Sequence, residues 1–408
     1  MPLQQLKDVD LRELGRRLQA ARKARGLTQQ EAADHLQVAR TTITAIEKGD
    51  RRIHPAELTR LAALYGRSVS ELLRPLSPAA GFAVQLRAAW APTELTEDDL
   101  ESYLQEFERL CEDYLELERI CQAPLPQRYP APYEIGAVTP ERAAEDAAVA
   151  ERQRLGTGDG PITNLRDVLE NDVGLRIFFM DLPSRVSAMF GFKEDLGGCI
   201  LVNRRHPDDR QRLSCAHEYG HFVSRRHEPE ISLTARYQRI PEHERFADAF
   251  ARAFLMPASG LTRRYNEVHR SREGRVTPAD LCRLAEVYAV SFEGLTRRLE
   301  ELRLLPPATW ERLQERGFRV REAQAILGIN ARTEPEPPLP LRYRLLAAEA
   351  FQRGDLSEGQ LARFLRVDRV EARRLARELA MEDEIDPNGE MERTQLELAI
   401  PVSELRRA

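Results

Sequence analysis

The stretch from Arg210 to Ser224 contains the pattern His217-Glu218-Tyr219-Gly220-His221. On an α-helix, positions i and i+4 share a face. His217 and His221 can therefore aim imidazole nitrogens at one metal ion. Glu218 points beside that ion, where a general base for an activated water belongs. Leu213, Ala216, Phe222 and Val223 surround the pattern with apolar residues, which predicts a buried helix. A buried His-Glu-His face without a metal would need other polar partners.

A catalytic zinc takes three protein ligands and leaves one position for water. The segment Glu242 to Pro257 reads as a second helix, stopped at Pro257. Ala247, Phe250, Ala251 and Phe254 form its core stripe. Glu244 and Asp248 lie one turn apart, so their charges repel unless something positive sits near both. Glu244 as third ligand, with Asp248 accepting the second N–H of a ligand histidine, meets that need. The plainer alternative pairs both acids with Arg245 or Arg252 on a solvated face. Cys215 is either a fourth ligand or, more simply, a small buried residue.

The two stretches together, Leu213-Ser-Cys-Ala-His-Glu-Tyr-Gly-His221 and Glu244-Arg-Phe-Ala-Asp-Ala-Phe-Ala-Arg-Ala-Phe-Leu-Met-Pro257, resemble the ImmA/IrrE metallopeptidases over roughly residues 160–260. Leu213 departs from the Phe common there. The resemblance implies zinc, with manganese as the alternative ion, on His217, His221 and Glu244, and Glu218 as catalytic base.

Residues 11–74 read as five helices. Leu14, Leu18 and Ala21 mark the first, and Thr28-Gln29-Gln30-Glu31 is a capping-box start for the second. A short turn and a third helix end at Gly49. Leu58, Leu61, Ala62 and Leu64 mark the fourth, and Val69, Leu72 and Leu73 the fifth. Two short helices around a tight turn make a helix-turn-helix. The string from Thr28 to Gly49 resembles the Cro-type (XRE) repressors. The segment is basic within a chain of net charge −5, an electrostatic footprint for nucleic acid. The resemblance implies that Arg40, Thr41 and Thr44 face base edges, while Gln29, Lys48, Arg51 and Arg52 reach phosphates. Gln37 stands where the turn usually has Gly, and Ala39 replaces a capping Ser or Thr, losing roughly 1 kcal/mol. The alternative is a helical interaction module without DNA binding.

The remaining chain divides as follows. Residues 1–75 form the helix-turn-helix domain, and Pro75 and Pro78 end it. Residues 76–138 hold an acidic helix over 93–121. Its seam Leu100, Leu104, Phe107, Cys111, Tyr114, Cys121 either pairs two copies of the chain or packs on the peptidase domain. Residues 139–305 are the peptidase domain. It contains helices at 140–153 and 164–172 and strands at 175–181, 186–192 and 199–203, with Gly197 to Asn203 as the candidate edge for binding a substrate peptide. Two helices follow, Thr277 to Tyr288 and Ser291 to Leu304, with Trp310 and Phe318 packed on them. Residues 306–408 are a C-terminal helical region entered through the proline-rich linker 333–340. It reads as helical from Leu341 to about Glu382, with a second, basic helix-turn-helix look around Leu356 to Arg374, either a DNA contact or a solvated face.

The fold class expected is mostly α with a small β-sheet, α+β. No apolar run has the length of a membrane span, the start lacks a signal-peptide pattern, and five cysteines without a C-x-x-C pair point to a reducing cytoplasm. The expected partners are a double-stranded DNA operator, a protein substrate that is an XRE-type repressor or the chain itself, and a second copy in a homodimer. The resemblance implies proteolysis that derepresses genes after stress. A DNA-binding factor with a sensory or structural zinc site, and a toxin–antitoxin or phage-defence regulator, are the other readings.

Overall fold

A computed structural model of the chain describes residues 11–67, 69, 72, 97–136, 138–228, 230–233, 241–329, 336–379, 381–385 and 391–395. Leu73, Pro75 and Pro78, the start of the acidic helix at Thr93, and residues 333–335 of the expected linker lie outside the described residues. Two compact units divide the chain, Met1–Ala80 and Gly81–Ala408. Among the described residues no helix is long and apolar enough to cross a membrane.

The first unit contains helices α1 (Leu11–Ala24), α2 (Gln29–Leu36), α3 (Arg40–Lys48) and α4 (Pro55–Tyr65). Their apolar stripes close one core of Leu14, Leu18, Ala32, Ala33, Ile43, Ile46, Leu58 and Leu61, with Leu72 buried and Val69 packed on it. Thr28 and Glu31 form the reciprocal capping box that the sequence announces. Gln37 ends α2 in the left-handed region at φ 61°, and Ala39 offers α3 no side-chain cap. The turn therefore carries both local costs read from the sequence.

The second unit opens with α5 (Glu97–Ile120) and α6 (Pro140–Arg154). A helical turn at Leu165–Asp167 widens into a π-turn at Val168–Val173 and leads to strands β1 (Arg176–Met180), β2 (Val186–Lys193) and β3 (Gly197–Asn203). Helix α7 (Asp208–Arg225), strand β4 (Glu230–Leu233) and helix α8 (Glu242–Leu255) follow. The sheet order is β1-β3-β2-β4, with β1 parallel to β3 and the other pairs antiparallel. This corrects the expectation that Gly197 to Asn203 is an edge. Every residue of β3 is buried and it pairs on both sides, the signature of a central strand. One edge is β4, four residues that sequence reading passed over.

After α8 come α9 (Ala258–Ser271), α10 (Pro278–Tyr288), α11 (Phe292–Glu301), α12 (Thr309–Glu315) and α13 (Val320–Ile326). Phe292 meets Trp310 and Phe318 at 5.8 and 5.0 Å between ring centroids, as expected. The stretch read as one helical run from Leu341 divides into α14 (Leu341–Gln352), α15 (Glu358–Leu365) and α16 (Arg369–Leu379), and the β5 (Met381–Ile385)–β6 (Met391–Gln395) hairpin replaces its end. Gly354 and Arg366, both at positive φ, break the run.

The seam of α5 is covered by its own chain. Leu104, Phe107, Cys111 and Tyr114 are fully buried. Phe107 and Tyr114 pack edge-on against Phe178 of β1 at 6.2 and 6.1 Å, and Tyr114 packs on Tyr343 of α14 at 5.3 Å. Glu118 at the helix end pairs with Arg176 at 2.7 Å and Arg342 at 3.4 Å. Of the two readings of this seam, packing within the chain is the one observed, so the seam gives no support to a homodimer.

Candidate metal centre and DNA-reading helix

Helix α7 lies against β2, β3 and α8 with its whole central stretch buried. Gly220 lets α8 come close: a Cβ there would stand 3.0 Å from the Ala247 Cα. On the far side, Tyr219 donates its hydroxyl to the fully buried Glu151, which also accepts from Tyr133 at 3.0 Å and pairs with Arg154 at 2.7 Å. The α7 helix is thus fixed in position from two directions.

That placement brings three ligand atoms together. His217 Nε2 and His221 Nε2 stand 3.0 Å apart. Glu244, from α8, presents Oε2 3.5 Å from His217 Nε2 and Oε1 3.3 Å from His221 Nε2. One atom from each of the three lies within 4.8 Å of the others. Asp248, one turn further along α8, sits 2.9 Å from His217 Nδ1. A carboxylate accepts only, so Nδ1 carries a proton towards Asp248, and Nε2 is the nitrogen that faces the cluster. The donor set therefore fits a metal ion: two imidazoles and a carboxylate converge, with an outer acid fixing one tautomer. The alternative pairing of the acids is not what forms, since Arg245 pairs with Glu141 and Arg252 with Glu301.

The electrostatics fit as well. Burial pushes His217 down, but the Asp248 and Glu244 carboxylates overcome it and raise it to about 10. Burial, with the charge of His217, pushes His221 down to about 4 despite Glu244. Burial raises Glu244, yet its hydrogen bonds to both histidines hold it well below the usual carboxylate range. One positive charge, on His217, is thus held between the neutral His221 and the carboxylates of Glu244 and Asp248, the place where a metal ion would supply the charge instead. Glu218 is fully buried on the same helix. Cys215 is buried and lines a cavity with Leu165 and Phe179; it is not among the three grouped ligands. Sequence reading missed His243, whose Nε2 stands 3.6 Å from Glu244 Oε1 and whose ring is 6.0 Å from that of His221. Its only sequence signal was adjacency to Glu244.

In the first unit, Arg40, Thr41, Lys48 and Arg52 are exposed, Arg40 and Thr41 at the start of α3. Thr44 is half-buried and donates to Gln29 Oε1 at 3.2 Å. Gln29 departs from a free phosphate contact, since its amide donates to Glu47 Oε2 at 2.9 Å. Arg51 is also held, making two contacts to Glu57 at 2.9 and 3.3 Å. Gln29 is thus tied to α3 and Arg51 to α4 within the fold.

Comparison with known families matches the IrrE N-terminal-like domain of the M78 peptidases to residues 170–300 and a helix-turn-helix domain to residues 13–74. No curated protein matches. Among solved structures, the crystal structure of ComR from Streptococcus suis aligns over 90% of this chain and 87% of that one at 12% identity. Its TM-score of 0.15 is too low to establish a shared fold. Motif, geometry and both family matches agree that the chain joins a helix-turn-helix domain to an ImmA/IrrE-type peptidase domain.

Proposed function

We propose that this chain is a stress-responsive DNA-binding regulator carrying a zinc endopeptidase that cuts an XRE-type repressor or its own chain. The observation that carries this reading is the convergence of His217, His221 and Glu244 with buried Glu218 on the same helix. Zinc suits that donor set, and manganese is the alternative ion. A bound ion would activate water and polarise a peptide carbonyl. The chain's own residues supply the rest. Asp248 keeps His217 oriented. The Glu218 carboxylate takes the proton released as water attacks and passes it to the leaving amine. Strand β4, at one edge of the sheet, can take an extended peptide by backbone pairing. Arg40, Thr41 and Thr44 read an operator, with Lys48, Arg51, Arg52 and Gln29 supporting the backbone contacts.

A second reading keeps the DNA binding and makes the zinc site sensory or structural. Glu218 favours the first, because a structural site needs no general base. The test incubates the full chain with zinc or manganese and candidate XRE-type repressors, and maps fragments by mass spectrometry. Glu218→Gln should keep metal and DNA binding and lose about 10²–10⁴ of the cleavage rate. Fragments formed equally by wild type and Glu218→Gln would overturn the peptidase reading.

A further inference from the structure

The turn between α15 and α16 repeats the turn between α2 and α3. Helix α2 starts on the Thr28–Glu31 capping box, and α15 on the matching box of Ser357 and Gln360. Each helix has eight residues and ends on a left-handed residue, Gln37 at φ 61°, ψ 44° and Arg366 at φ 59°, ψ 33°. Each is followed by valine, and the valine N–H closes the helix: Val38 donates to the Ala33 carbonyl at 3.0 Å, Val367 to that of Ala362 at 3.2 Å. After one intervening residue the next helix begins, at Arg40 and at Arg369. Arg40, Thr41 and Thr44 therefore correspond to Arg369, Val370 and Arg373.

A third copy shows what disqualifies such a turn from reading anything. Helix α10 ends on left-handed Ala289 at φ 50°, and the Val290 N–H donates to the Ala285 carbonyl at 3.1 Å before α11 begins. There the corresponding positions include Phe292 and Thr296, exposed 2% and 0%. Helix α11 turns two of the three corresponding positions into the core and leaves Glu293, the third, paired with Arg297 on its outer face. In α16 the corresponding residues are exposed, Val370 to 68%. Buried Ala372 and Ala376 set α16 on α14 and α15. Arg369, Arg373 and Arg377 then form an exposed row at successive helical turns. Asp368 caps the helix, accepting from the N–H groups of Val370 and Glu371 at 2.8 and 2.9 Å.

We propose that α14–α16 form a second duplex-DNA-binding element, with α16 entering the major groove. Arg369 and Arg373 meet guanine edges or flanking phosphates, Arg377 meets phosphate, and Val370 meets a thymine methyl group. Helix α16 carries four arginines against Glu371 and Glu378. Arg373 lies 3.5 Å from Glu358, and Arg374 pairs with Glu371 and Glu378. Such exposed pairs are weak and yield to phosphate. By contrast, Arg363 of α15 and Arg366 just after it are committed to α5: Arg366 pairs with Asp113 at 2.9 Å and Arg363 with Glu116 at 3.2 Å. They hold the unit in place and leave α16 outward. A protein-docking face would centre on aromatic or large apolar anchors. Among the described residues of α16, Val370 is the one large apolar side chain that is exposed. The proposal does not depend on peptidase activity.

The test uses the full chain with Arg40→Ala, Lys48→Ala and Arg52→Ala, which weakens the first DNA-binding unit. Binding to a mixed-sequence duplex is followed by fluorescence anisotropy between ~50 and ~200 mM salt. Adding Arg369→Ala, Arg373→Ala and Arg377→Ala should reduce the slope of log K against log salt by about 2–3, near 0.9 per lost phosphate contact. Circular dichroism and metal content should stay the same. An unchanged slope in a folded variant overturns the proposal. Should the triple change unfold the C-terminal helices, the wild-type chain still decides. Photo-cross-linking to an iodouracil-substituted duplex should map to residues 366–379 as well as to α3, and cross-links confined to the first unit overturn the proposal. Val370→Glu alone should weaken binding by about 10-fold, while Val370→Thr, which keeps a methyl group, should not.

Discussion

Each unit of this chain buries a cluster of charged side chains, and the two are built on opposite plans. In the first unit Arg22 and Glu47 meet at 2.6 and 3.0 Å. Glu47 also accepts from Gln29, and Arg22 donates to the Leu27 carbonyl at 2.6 Å. Donors and acceptors are matched and the cluster is closed. In the second unit, two imidazole nitrogens and a carboxylate face one point, and each of the three can offer a lone pair to the same ion. A closed cluster fixes a fold, whereas a convergent one calls for a cation. The difference lies in the balance of donors, not in the degree of burial.

The largest expected effect tests the convergent cluster. His217→Ala or Glu244→Ala should leave purified chain with essentially no bound metal by elemental analysis. Full retention in both would undo the ligand assignment. Next is the closed cluster. Glu47→Ala strands a buried guanidinium and should cost on the order of 3–5 kcal/mol in the unfolding of the first unit, with metal content unchanged. A loss below 1 kcal/mol would mean that Arg22 finds water and the cluster is not closed.

Glu170 stands between the two plans. It is buried, with Tyr114 donating to it at 2.7 Å. Burial raises its carboxyl to about 7 from 4.5, against the pull of Tyr114 and Arg166. A raised acid favours the folded state while protonated. Its contribution is complete below pH ~4.5 and is lost as pH rises through ~7, on the order of 3 kcal/mol. Glu170→Gln should therefore flatten the fall in stability of the second unit between these limits. A variant with the wild-type pH profile would show that Glu170 is not the titrating group. The smallest effect belongs to the outer acid. Asp248→Asn should weaken metal affinity about 10- to 100-fold without abolishing it, and unchanged affinity would return Asp248 to an ordinary surface acid.

What the sequence disclosed follows the range of the interactions involved. His217, Glu218 and His221 were legible because helix geometry alone puts them together. Glu244 and Asp248 were legible because their one-turn spacing needs a counter-charge. The capping box at Thr28 and the positive φ at Gln37 are equally local. Strand order is not local: β2 and β3 form a hairpin between neighbours, but the parallel pairing of β1 with the far side of β3 passes over β2 in the chain, and that pairing is what takes β3 off the edge. The seam of α5 declared itself apolar without declaring its cover, which Phe178 and Tyr343 supply. Gln29 and Arg51 looked available for DNA because their partners, Glu47 and Glu57, become neighbours only once the helices pack.

Gly220 gives the candidate metal centre a mechanical character. Helices α7 and α8 meet where the backbone of one lies directly on Ala247 of the other. The three ligands straddle that contact, two on one helix and one on the other. An ion held there would work as a rivet through a close point of the joint. A side chain at position 220 would press on Ala247, one turn from Glu244, so the spacing of the two helices bears on the grip on an ion.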